Sequence, residues 1–221
     1  MDTKLKNALA RLRHILPLQE RQAKCSEPTR ELHKQLLRSY VINGRILTRE
    51  EIAQTVSDPE EAINVLSSND MVVLSGSGEP VGAYPFTSET RDYKVRVKGH
   101  RVNVMCALDA LAVSPMFGVR TEIDSRCRVT GDPVHVIQSG ETIENADEVG
   151  DLHLGIDWGA ADASSCCANS LCTEMLFLRD SEVARQWQAE DAENREIFTL
   201  PVAVEFASRF FVPLMEQQEL K

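Results

Sequence analysis

The sequence predicts an α+β fold in two parts: a winged-helix-like helical domain at residues 1–88, then a mixed-sheet domain with flanking helices at residues 89–221. Three observations carry this expectation. Apolar residues recur at helical spacing through roughly the first seventy positions. Short alternating segments rich in β-branched residues take over from Met71. With 221 residues, the chain can bury a sizeable core as one large domain or two small ones.

The elements follow in order. Leu5, Leu9, Leu12, Ile15 and Leu16 give residues 2–16 one apolar face, and Pro17 ends that helix. Residues 31–41 place Leu32, Leu36, Leu37 and Tyr40 on one face of a second helix. Thr48 and Glu51 form a capping box for a short helix through Val56. Asp58, with Pro59 at the first helical position, opens another helix through Leu66. Residues 71–74 and 80–86 flank a Ser-Gly-Ser-Gly turn as a hairpin, which completes the winged-helix outline.

After a boundary near residues 87–90, Tyr93 to Val97 and Arg101 to Val104 read as strands around Lys98-Gly99-His100. Residues 107–113 read as a short helix that Ser114-Pro115 stops. Strands are expected at residues 119–123, 127–129 and 134–137, with Thr130-Gly131-Asp132-Pro133 turning between the last two. Residues 140–151 form an acidic loop, 153–158 a strand, and 159–168 a small, polar, cysteine-bearing loop. Residues 175–178 are an apolar strand, Asp180 or Ser181 caps a helix through Glu190, and Thr199-Pro201 opens the last helix, residues 202–215.

A hydrophobic fraction of 43% and a charged fraction of 26% exclude a disordered or fibrous chain. No run approaches the eighteen or so apolar residues that a membrane span needs, so no membrane partner is expected. The N-terminus lacks the apolar core of a signal peptide. Six cysteines at irregular spacing, without an export signal, point to reduced thiols in the cytoplasm. Net charge is −10, yet residues 1–50 hold eleven Lys/Arg against five Asp/Glu. That basic start invites a nucleic-acid hypothesis. The helix that would enter a DNA groove, residues 59–70, carries Glu60, Glu61 and Asp70 and no basic residue. It would repel phosphates, so no nucleic-acid partner is expected and the N-terminal domain reads as a packing module.

The chemistry centres on Cys106-Ala107-Leu108-Asp109. A thiol and a carboxyl three apart share one helix face and reach the same bound atom. A helix start also favours a thiolate through its dipole. The plainer reading is a buried structural cysteine beside a solvated aspartate. A zinc site would show close ligand pairs or helically spaced histidines, and the late cluster Cys166-Cys167 with Cys172 has neither. A vicinal Cys166–Cys167 disulfide is strained and ill-suited to a reducing compartment. Cys127 reads as a small buried thiol and Cys25 as a lone loop cysteine. His135 and His153 read as strand residues. There is no Gly-x-Ser-x-Gly, no phosphate loop and no dinucleotide fingerprint.

Cys106-Ala-Leu-Asp109-Ala-Leu, followed by Ser125-Arg-Cys127-Arg-Val-Thr-Gly131-Asp-Pro133-Val, resembles the organomercurial (alkylmercury) lyase family. Cys172-Thr-Glu-Met-Leu-Phe177-Leu, with Trp187 beyond it, is similar to that family's second catalytic segment. The resemblance covers roughly residues 90–215 and implies the catalytic trio Cys106, Asp109 and Cys172. It also implies a structural role for Cys127 and an N-terminal domain with no regulatory task.

On this resemblance Cys106 captures an organomercurial, Asp109 shuttles a proton from the second thiol, and a hydrocarbon leaves. Mercury(II) stays on both sulfurs until small thiols or a mercuric reductase take it, and no organic cofactor is required. Mercury(II) is soft and suits thiolates. The second thiol is contested by the vicinal Cys166 and Cys167, a pair that some family members carry at the catalytic position. Counting from Cys172 places Phe177 at five and Trp187 at fifteen residues on, as the family pattern has it. Counting from Cys166 requires an insertion inside a strand, so Cys172 is preferred, and Cys166 or Cys167 is left to assist it. Two other readings share these residues: a thiol-based metal-binding or delivery protein without protonolysis, and a winged-helix metal-sensing regulator.

Overall fold

Helices dominate the first third of the chain because caps and apolar stripes coincide there. In the computed structural model, which describes residues 2–216, α1 (Thr3–Ile15) is capped by Asp2 and buries Leu5, Ala8, Leu9 and Leu12. α2 (Leu18–Lys24) is absent from the sequence reading because it buries only Leu18 and Gln22. Gln22 bonds His33 at 2.9 Å and the Leu214 carbonyl at 3.0 Å, which anchors the helix by polar contacts that periodicity does not register. α3 (Glu27–Asn43) starts earlier than expected, because Ser26 caps it and Pro28 occupies its first turn. α4 (Arg49–Ala53) has the expected capping box, and α5 (Pro59–Ser68) is capped by Asp58.

The strands begin with β1 (Val72–Leu74), β2 (Pro80–Ala83), β3 (Phe86–Thr87), β4 (Tyr93–Val97) and β5 (His100–Val104). Helix α6 (Ala107–Phe117) follows, then β6 (Arg120–Arg126), β7 (Pro133–Ser139), β8 (Thr142–Ile143) and the short α7 (Ala146–Val149). The chain closes with β9 (His153–Asp157), β10 (Met175–Leu178), α8 (Ser181–Ala189), β11 (Arg195–Thr199) and α9 (Leu200–Phe211). One sheet runs β1-β2-β3-β5-β4-β6-β7-β8 and a second runs β10-β9-β11. The fold is α+β, as expected, but the sheets are antiparallel at every pairing among the described residues, not mixed.

The larger sheet passes through the expected boundary at residue 88. Phe86 pairs with Val104 and Thr87 with Asn103, and Tyr40 of α3 stacks on Phe86 at 4.8 Å. Residues before and after 88 therefore share one sheet and one large buried cluster.

Three local differences have physical reasons. No strand forms at residues 127–129: β6 continues through Arg126, and Cys127 already bonds Asp132 and Gly131 across the turn. β11 has no apolar alternation in the sequence, because Arg-Glu-Ile-Phe-Thr buries only Phe198. Helix α6 runs past Pro115 to Gly118, which ends it at φ 61°, a conformation that glycine adopts without cost. Proline removes the amide that would bond the Leu111 carbonyl, and the buried Gln138 side chain takes that carbonyl at 3.0 Å instead.

β9 is the central strand of the smaller sheet, and Gly155 lies at its middle. A Cβ there would sit 2.8 Å from Leu178 Cδ1 and 2.9 Å from Trp187 Cζ3. Gly155→Ala is expected to lower unfolding free energy by about 1–3 kcal/mol, the usual range for overpacking. Urea denaturation reads this directly, and an unchanged midpoint would refute the packing described.

Candidate active site

α6 is apolar on every side, as befits a helix threaded through a core. It packs on α9 and on strands β4 to β7, and reaches β10. Its N-cap is Cys106 itself, in extended backbone after β5, so strand and helix together position the thiol. The sulfur accepts the Asp109 amide at 3.4 Å and donates to Asp109 Oδ2 at 2.8 Å. Thiol and carboxyl are thus joined reciprocally within one turn.

Cys172 arrives from the other side, on a single 3-10 turn (Leu171–Glu174) that leads into β10. The ligand atoms of Cys106, Asp109 and Cys172 all lie within 4.8 Å of one another, and all three residues are buried. The trio expected from sequence is therefore gathered at one point. Met175 Sδ lies 3.8 Å from Cys106 Sγ, and Cys167 Sγ lies 3.5 Å from Cys172 Sγ. The surrounding cleft has about 10 Å³ of free volume, close to the least that admits one water.

Burial governs the protonation of all three groups. It pushes the Cys106 thiol up to about 12 and the Asp109 carboxyl up to about 7. Neighbouring Cys106 and Cys167, and then burial, raise Cys172 well above its ordinary value. A thiolate favoured by the helix dipole is thus overruled in the folded chain. The dipole is worth at most about 2 kcal/mol, whereas burying a charge costs several.

The other sequence candidates lie elsewhere. Cys127 is buried in a second cluster with Leu176, Leu178 and Trp187, behind the smaller sheet. Cys25 is half-buried and bonds the Arg21 carbonyl. His135 pairs with Asp124 on the surface, and His153 bonds the Asp151 carbonyl. Sequence reasoning did not find Met175, Tyr84, Leu12, Leu16, Phe210 and Phe211 in the cleft wall. Only Met175 gave a signal, as a soft side chain three residues from Cys172; the rest come together through tertiary packing.

Two buried thiols and a carboxyl, gathered on an α+β frame, define a cysteine-dependent centre suited to a soft metal or its organic derivatives. A model of the alkylmercury lyase family, MerB, matches residues 86–212. Alkylmercury lyase of Bacillus cereus is 25% identical over 188 residues, 85% of this chain and 82% of that protein. Alkylmercury lyase of Streptomyces lividans is 23% identical over 155 residues, 70% of each. The mercury-bound form of MerB2 superposes with a TM-score of 0.73 at 20% identity, over 94% of this chain and 100% of that one, and so shares the fold. The chain belongs to the alkylmercury lyase family.

Asp109 keeps its proton to about pH 7 when folded, against an ordinary value of 3.8. Its contribution to stability is complete below pH 3.8 and is lost as pH rises toward 7. Asp109→Asn cannot ionise, so the unfolding free energy of the native chain minus that of the variant should fall across this window. Urea titrations at several pH values test this, and a constant difference would refute a neutral, buried Asp109.

Proposed function

We propose that this chain cleaves carbon–mercury bonds by protonolysis, releasing a hydrocarbon and mercury(II). The gathering of two thiols and one carboxyl within 4.8 Å supports this reading. Carbon bound to mercury is a poor base until electron-rich ligands reach the metal. Thiolates are the protein ligands that bind soft mercury best and push density toward carbon. An acid must then stand beside that carbon.

The groups have complementary tasks in this scheme. Cys106 exchanges onto R–Hg⁺, and its proton leaves with the displaced ligand. Asp109 then delivers its proton to carbon as the Cys172 sulfur joins mercury, and the Cys172 proton replaces it on Asp109. The carbon–mercury bond breaks, R–H departs, and mercury(II) remains on two sulfurs. A carboxyl titrating near 7 is well matched to this work, since it takes and yields a proton near neutral pH. Burial excludes competing ligands such as water and chloride. The scheme uses no organic cofactor, and small thiols or a mercuric reductase accept the product in the cytoplasm.

Nucleic acid has no place in this scheme. Arg45 pairs with Glu51, Arg49 with Glu60 and Glu79, and Arg38 with Glu31 of its own helix, so part of the N-terminal basic charge is met by carboxylates. Among the described residues no helix is long and apolar enough to cross a membrane.

Hydrocarbon release from phenylmercury, with excess thiol, is the decisive assay. Cys106→Ala should abolish it, and Asp109→Ala should lower turnover by about 10²–10⁴-fold, the range of positioned acid catalysis. Mercury(II) binding should weaken in Cys106→Ala and persist in Asp109→Ala. Near-normal turnover by either variant would overturn the mechanism. A wild-type chain that binds mercury(II) but releases no hydrocarbon would support a delivery protein instead. Cys172→Ala should be inactive and Cys166→Ala active; the reverse result would move the second thiol to Cys166.

A further inference from the structure

The inner cleft around the trio is narrow as it stands. With about 10 Å³ free, it cannot admit a small peptide thiol to attack the metal. Beside it lies a surface cleft of about 510 Å³, walled by Arg21, Asp70, Ser164 and Cys166 among others. One cysteine, Cys167, lines both. Its sulfur is 3.5 Å from Cys172 Sγ, while its chain neighbour Cys166 is half-buried at the outer cleft.

The placement of Cys167 is held by a dedicated clamp. Its amide donates to Asp70 Oδ2 at 3.1 Å, the Ala168 amide donates to Tyr84 Oη at 2.8 Å, and Tyr84 donates to Asp70 Oδ1 at 2.9 Å. Asp70 itself sits at φ 50°, and Tyr84 is almost wholly buried. A cysteine that merely fills core space would need neither two cavities nor a second thiol in contact.

We propose that Cys167 and Cys166 form a thiol relay that carries mercury(II) from the buried trio to the outer cleft. This rests on the protonolysis reading, which makes mercury(II) the product. In the first transfer a bond forms from Cys167 Sγ to mercury as the Cys106 Sγ bond breaks. The Cys167 proton is relayed through the Asp109 carboxyl, which gives its own proton to the released Cys106 sulfur and takes that of Cys167. In the second, Cys166 replaces Cys172 and its proton moves to Cys172. Two small thiols then displace Cys166 and Cys167, each leaving a proton on the cysteine it replaces. Mercury stays divalent throughout, and no oxidant or reductant enters.

The test uses the full chain as wild type, Cys167→Ser and Cys166→Ser, each loaded by one turnover of phenylmercury. The benzene burst is measured without added thiol, and protein-bound mercury is then followed after mixing with glutathione. A burst from all three is expected, with mercury release slowed about tenfold or more in Cys167→Ser and less in Cys166→Ser, the scale of losing a group that supports a metal site. Release at the wild-type rate in both variants overturns the relay and leaves the lyase reading intact. A Cys167→Ser chain that folds but gives no burst also overturns it, because Cys167 would then be a reacting thiol. If Cys167→Ser does not fold, Cys166→Ser decides, and wild-type release there overturns the relay. A wild type without a burst refutes the protonolysis reading instead, and loading all three chains with mercury(II) chloride then decides the relay alone.

Discussion

Everything about this site depends on one buried hydrogen bond, from the Cys106 thiol to the Asp109 carboxyl, at the start of an apolar helix. In water the two groups would have little to do with each other: the carboxyl would be ionised and the thiol free to titrate. Inside the core the same burial raises both, so each holds its proton and the pair is neutral. A neutral pair is tolerated where a thiolate or carboxylate would not be, and the core can close around it. On the protonolysis proposal, mercury displaces protons from sulfur and so frees them beside the reacting carbon.

The walls that enforce burial come from both ends of the chain. Leu12 of α1, Leu16 at its C-terminal end, and Phe210 and Phe211 of α9 line the trio's cleft, so the first and last helices close the same cleft. Lys4 donates to the Ile197 carbonyl and Arg13 to the Arg209 carbonyl, which ties α1 to β11 and α9. Arg11 lies over the Trp158 ring at 4.9 Å. The first helix therefore contributes part of the apolar wall around the thiols and the carboxyl. The β1–β2 hairpin joins the eight-stranded sheet through β3.

The loop that carries Cys166 and Cys167 is the least regular part of the site and the one most exposed to the outer cleft. Its backbone is nonetheless pinned by Asp70 and Tyr84, residues far away in sequence. A single 3-10 turn holds Cys172 beside Cys106, while a clamped loop places Cys167 next to it. Soft-metal chemistry favours such a graded arrangement, because mercury moves readily between sulfurs by exchange but is held tightly by any pair.

Local patterns determined most of the elements, and the family resemblance pointed to Cys106, Asp109 and Cys172, which the fold brings together. Caps at Asp58 and the Thr48–Glu51 box, the alternation of β4 and the Cys-Ala-Leu-Asp segment are all short-range facts that a sequence displays. The spacing from Cys172 to Phe177 and Trp187 likewise belongs to one continuous segment, and the fold sets that thiol beside Cys106. What escaped had no local signature. α2 is held by Gln22 bonds to His33 and Leu214, and β11 by pairing with β9 more than by its own apolar residues. α6 outlasts its proline because Gln138, on another strand, takes the freed carbonyl. The dipole at Cys106 argued for a thiolate, and only the packed core decided otherwise. Desolvation depends on every neighbour within several ångströms, and those neighbours are drawn from residues 12 to 211.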